Sequence, residues 1–196
     1  MLLHGNGESC RIFDMLVEEL PPYFKCYALD SRCHGKSQHK VPLGYSLMAD
    51  DVAGFIKELK LEKPVVIGFS DGGIVALLLA VNYPELAEKI ICVGANATPD
   101  GLHPMVLKIL RLSYFLTRSK KVKLMLTEPN ITAEQLQSIE TPSVFIAGEK
   151  DIIRQEHTRF IADNVRNSVC EIVENATHSD YVVNSPRFYE ILKKYL

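Results

Sequence analysis

The five cysteines, Cys10, Cys26, Cys33, Cys92 and Cys170, form no C-x-x-C pair and no metal-ligand spacing, which excludes a zinc ribbon or a dithiol redox motif. No metal site is therefore expected. No apolar run approaches the ~18 residues needed to span a bilayer. Neither sign of charge dominates: 22 Lys and Arg stand against 24 Asp and Glu, a net charge of -2. That balance gives no reason to expect a nucleic-acid or membrane partner. The densest basic run, Arg118 to Lys123, is short and reads as a solvated helix face. No signal-peptide pattern is found, and with an odd cysteine count this leads to an expectation of reduced thiols and a cytoplasmic location. Cys26, Cys92 and Cys170 fall inside apolar strand-like runs, where a free thiol acts as a small hydrophobe.

The composition is that of one globular domain: 196 residues, 47% hydrophobic and 23% charged. Short apolar runs alternate with helical patterns. Cys26–Leu29, Pro64–Gly68, Ile90–Val93, Val144–Ala147 and Val169–Val173 read as buried strands, with a stub at Met1–Leu3. Helical periodicity marks Arg11–Leu20, Ser46–Leu59, Ile74–Tyr83, Gln155–Asn164 and Pro186–Tyr195, with Ser46 as a candidate N-cap. Continuous apolar strands separated by helices predict an α/β fold, a doubly wound and mainly parallel sheet of about six strands. Residues 98–140 break the rhythm with helical patterns alone. They predict a helical cap insertion between core segments 1–97 and 141–196. In an open parallel sheet, ligands bind beyond the carboxyl ends of the strands, so this insertion overhangs the expected site.

Gly68-Phe69-Ser70-Asp71-Gly72 lies between an apolar strand and an almost wholly apolar helix. A strand turning into a helix within about three residues holds its serine in a strained conformation, and the flanking glycines avoid collisions with neighbouring elements. Ser70 is thus the candidate nucleophile. A serine hydroxyl needs a base that an acid orients. Of six histidines, only His178 follows a late strand closely, and Asp151 follows the preceding one in Gly148-Glu149-Lys150-Asp151. The backbone N–H groups of Asp71 and of Asn6, in His4-Gly5-Asn6-Gly7, are the candidate oxyanion donors. The Asp71 carboxylate is expected to interact with the positive helix end, and His4 to be a hydrogen-bonded structural residue.

Taken in order, His4–Gly7, Asp30–Ser37, Gly68–Gly73, Gly148–Asp151 and His178 resemble the α/β-hydrolase superfamily, in its subset with a small helical cap. The resemblance covers nearly the whole chain and implies Ser70, Asp151 and His178 as a triad, with Asn6 and Asp71 at the oxyanion hole. Two departures stand out. The antiparallel strand pair that usually precedes the His4-Gly5 strand is missing, and Cys33 replaces a frequent glycine. The first leaves the strand ending at Asp30 as an exposed edge, which invites pairing with a second copy.

These features predict a serine hydrolase cleaving a carboxylic ester or similar small acyl compound through an acyl-enzyme on Ser70, with no cofactor. Leu102, Met105, Ile109, Leu112 and Phe115 of the insertion are the expected lining of an apolar acyl pocket. A peptidase acting on N-terminal proline, a carbon–carbon bond hydrolase or a perhydrolase would use the same triad. A non-catalytic binding protein on this fold is the alternative from another class.

Overall fold

A computed structural model describes residues 1–196. Six parallel strands form one sheet: β1 (Leu2–Leu3), β2 (Ala28–Leu29), β3 (Val65–Phe69), β4 (Lys89–Val93), β5 (Ser143–Lys150) and β6 (Ser168–Thr177). Their spatial order is β2-β1-β3-β4-β5-β6, so the chain winds outward in both directions from the β1–β3 pair. The Cys26–Leu29 run shrinks to the two half-buried residues of β2, at one edge of the sheet.

Side chains alternate across the sheet, and each face feeds its own core. Val66, Ile90, Cys92 and Phe145 belong to one cluster, with α2 (Tyr45–Glu58), α3 (Asp71–Asn82) and α7 (Gln155–Asn164) covering it. Ile67, Phe69, Ile91, Val93, Val144 and Ile146 belong to the other, closed by a 3-10 turn (Cys10–Phe13), α1 (Asp14–Glu19) and α8 (Pro186–Leu192). This two-sided burial explains why the strands read as continuous apolar runs. Ten of the twelve residues of α3 are buried.

Between β4 and β5 there is no strand. A 3-10 turn (Pro99–Gly101) leads into α4 (Pro104–Thr117), α5 (Lys120–Thr127) and α6 (Ala133–Gln137). The sequence reading missed α6, although Thr132 and Gln135 form a reciprocal capping box at its start.

Two local expectations are corrected. Helix α2 starts at Tyr45, and Ser46 is not its cap; the Tyr45 N–H donates instead to the Glu128 carboxylate of the insertion, 3.1 Å away. A distant side chain thus replaces the local one. Cys170 is exposed, because β6 is the other edge strand and turns that position to solvent. All five cysteines are free thiols. No helix is long and apolar enough to cross a membrane.

Candidate active site

Ser70 occupies the turn between β3 and α3 with φ 53° and ψ -115°, a conformation that non-glycine residues rarely take. The turn fits only because both flanking positions lack a side chain. A Cβ on Gly72 would lie 2.1 Å from the Leu3 carbonyl oxygen, and one on Gly68 would lie 2.0 Å from that of Gly72. The Ser70 N–H donates to the Val93 carbonyl at 2.7 Å, fixing the turn to β4.

The loops after β5 and β6 bring Asp151 and His178 to the same end of the sheet. His178 Nε2 lies 3.0 Å from Ser70 Oγ, and His178 Nδ1 lies 2.6 Å from Asp151 Oδ1. A carboxylate beside Nδ1 can only accept, so that nitrogen carries the hydrogen and Nε2 is left to accept from the serine hydroxyl. Asp151 is buried and also accepts the N–H groups of Gly148 and Ile153. The Phe69 ring packs against the imidazole with centroids 5.0 Å apart. Gly94, at the end of β4 with φ 61°, completes the cradle, since a Cβ there would lie 2.8 Å from His178 Cε1. Sequence reasoning missed Gly94; a glycine directly after an apolar strand was its only signal.

The His4–Gly7 loop approaches from the β1 side. A Cβ on Gly5 would lie 3.1 Å from that of Ser70. His4 is fully buried, with Nδ1 2.7 Å from the Gly5 carbonyl and Nε2 accepting the Ser31 N–H at 3.1 Å. It ties the loop to the end of β2. Asn6 Nδ2 donates to Asp71 Oδ2 at 2.8 Å and Tyr45 Oη donates to Asp71 Oδ1 at 2.8 Å. The Asp71 carboxylate therefore holds side chains from the β1 loop and α2, a more specific arrangement than contact with the helix end alone. Burial pushes its pKa up to about 6, against the opposing effect of those two hydrogen bonds. Glu8, also unnoticed in the sequence, accepts the Gly5 N–H at 3.0 Å, and burial raises its pKa.

The space beside Ser70 measures about 10 Å³, room for roughly one water molecule. Leu102, Met125, Ile152 and Ile153 form its apolar wall, with Tyr45, Asn96 and Glu128 on the polar side. Of the five residues expected there, only Leu102 is in place. Met105, Ile109, Leu112 and Phe115 are 60–67% exposed on the outside of α4. They share one helical stripe, but it faces outward; the half-buried stripe of α4 is the opposite one, which includes Val106, Leu110 and Tyr114. No group of three or more His, Cys, Asp or Glu side chains is placed to hold a metal ion.

Residues 1–116 match the family described as the alpha/beta hydrolase fold. Among curated proteins, an abhydrolase domain-containing protein of Schizosaccharomyces pombe is 45% identical over 99 residues, 47% of this chain and 35% of that protein. The sn-1-specific diacylglycerol lipase ABHD11 of Danio rerio is 31% identical over 138 residues, 69% of this chain and 42% of that protein. The matches to these two relatives span less than half of the relatives' own length. A lipase-esterase related protein from Clostridium acetobutylicum superimposes with a TM-score of 0.83, covering 100% of this chain and 93% of that one. At 23% identity, that likeness speaks for the fold alone. The family match takes in more than half of the sequence and agrees with the parallel strand order, so this chain belongs to the α/β-hydrolase family.

Proposed function

We propose that this chain is a serine hydrolase that cleaves carboxylic esters of small apolar acids through an acyl-enzyme on Ser70. The observation that carries the reading is the continuous relay from Asp151 through His178 to Ser70, with hydrogen bonds of 2.6 and 3.0 Å. Relatives named as hydrolases and lipases support the broader reading of a hydrolase.

In the first half-reaction His178 Nε2 takes the hydroxyl proton as Ser70 Oγ attacks the ester carbonyl carbon. The carbonyl oxygen gathers negative charge opposite the backbone N–H groups proposed as donors, those of Asp71 and Asn6. The Asp71 N–H is well suited, because the first N–H groups of α3 have no acceptor within the helix. His178 then gives its proton to the departing alkoxide as the ester C–O bond breaks. In the second half-reaction His178 takes a proton from water, the hydroxide attacks the acyl carbon, and the proton returns to Ser70 Oγ as the acid leaves. Asp151 accepts from Nδ1 throughout, fixing the tautomer and stabilising the imidazolium.

The acyl group is assigned to the side walled by Leu102, Met125, Ile152 and Ile153. Turnover of p-nitrophenyl acetate and butyrate by wild type and His178→Ala tests the reading. A loss of several orders of magnitude in kcat is expected, with circular dichroism still showing a folded protein. Wild-type turnover in the variant would remove His178 from the chemistry.

A further inference from the structure

Helix α4 has no buried residue. Met105, Ile109, Leu112 and Leu116 recur at i, i+4, i+7 and i+11, so they share one face, and Phe115 stands beside them. All five are 60–70% exposed. This face turns away from the core, as the half-buried positions 106, 107, 110, 113 and 114 show.

The charge around it is of one sign. Residues 101–127 contain Lys108, Arg111, Arg118, Lys120, Lys121 and Lys123 and no Asp or Glu. None of the six makes an ion pair within the chain. Lys121 is half-buried against the Asn6 loop, its carbonyl 3.4 Å from Asn6 Nδ2; the other five are exposed. The Arg118 guanidinium lies 5.6 Å from the ring centres of both Tyr114 and Phe115, at the turn into α5. The chain's net charge of -2 averages over this basic face and conceals it.

An exposed apolar stripe flanked by unpaired cations suits the boundary between lipid headgroups and acyl chains. A second copy of this chain suits it less, since a two-fold contact would set the five exposed cations against the same five. We propose that the outer face of α4, with the α4–α5 turn, docks on an anionic lipid surface. The five apolar side chains enter the acyl boundary, and the five exposed cations meet the headgroup anions. The insertion also supplies Leu102 and Met125 to the wall beside Ser70, so docking brings the covering of the candidate site to the lipid. The docking does not depend on the chemistry proposed for Ser70.

Co-sedimentation of the full chain with phosphatidylcholine vesicles, with and without phosphatidylglycerol, tests this. Binding is expected to the anionic vesicles only, weakening as salt is raised. Each cation near such a surface strengthens binding about five-fold. Leu112→Ser with Phe115→Ser, and separately Lys120→Glu with Lys123→Glu, should each reduce binding at least about ten-fold. All these positions are surface residues, and circular dichroism melts confirm that the variants fold. Ser70→Ala should bind like wild type, which separates docking from hydrolysis. The proposal is overturned if anionic vesicles fail to bring down the wild type, or if both double variants bind as it does. It also falls if light scattering shows a dimer that both double variants convert to monomer, which would make the face a self-association surface.

Discussion

Asp71 carries a carboxylate into a fully enclosed setting between the nucleophile turn, the Asn6 loop and Tyr45. Burial raises its pKa from 3.8 to about 6. Between those values the folded protein holds a proton that the unfolded chain has released, so this contribution to stability falls as pH rises from about 4 to 6. His4, His34 and His157 act in the opposite sense. Burial lowers all three, the latter two to about 4, and their contribution is lost as pH falls below about 6.5. Comparing wild type with Asp71→Asn cancels the histidines. Denaturant unfolding at pH 4, 5, 6 and 7 should show the variant gaining on wild type up to about pH 6 and then levelling off. A difference that stays flat across the series would mean that Asp71 titrates normally.

Among the elements, β4 delivers Gly94 to the back of His178. An alanine there would place its Cβ 2.8 Å from the imidazole and at a φ of 61°, so the ring must shift. A displacement near 1 Å can lower turnover about 10²-fold. Gly94→Ala is expected to show that loss in kcat with a modest fall in melting temperature; unchanged kcat would show that the cradle is not needed. The insertion is tied to the core in the same concrete way. Glu128 accepts the Tyr45 N–H at the first turn of α2, a tertiary version of a helix cap. Replacing a local capping side chain costs about 1 kcal/mol. Glu128→Ala should therefore lower unfolding stability by roughly that amount in a denaturant titration, and an unchanged midpoint would assign the cap to water.

For the whole molecule, the sheet and its two-sided burial were legible, because apolar runs such as Val65–Phe69 and Ile90–Val93 carry the pattern of a parallel core. Ser70, Asp151 and His178 were legible for a related reason: each sits just beyond a strand, where the topology gathers loops at one end. What was not legible depends on contacts between distant segments. Periodicity finds the stripe Met105, Ile109, Leu112 and Phe115 but cannot say which side of α4 meets the core. The partners of the Asp71 carboxylate come from positions 6 and 45, and no local rule pairs them. Cys170 reads as interior until the strand order places β6 at the edge. Since the proposed scheme uses only Ser70, His178 and Asp151 with backbone donors, treatment with a chelator should leave ester turnover unchanged.

The most direct test of the nucleophile is covalent labelling with a fluorophosphonate probe, followed by mass spectrometry of the modified peptide. The account predicts one adduct, on the peptide containing Gly68-Phe69-Ser70-Asp71-Gly72, that is absent from Ser70→Ala. Labelling that persists in Ser70→Ala, or a wild type that the probe leaves unmodified, would contradict it.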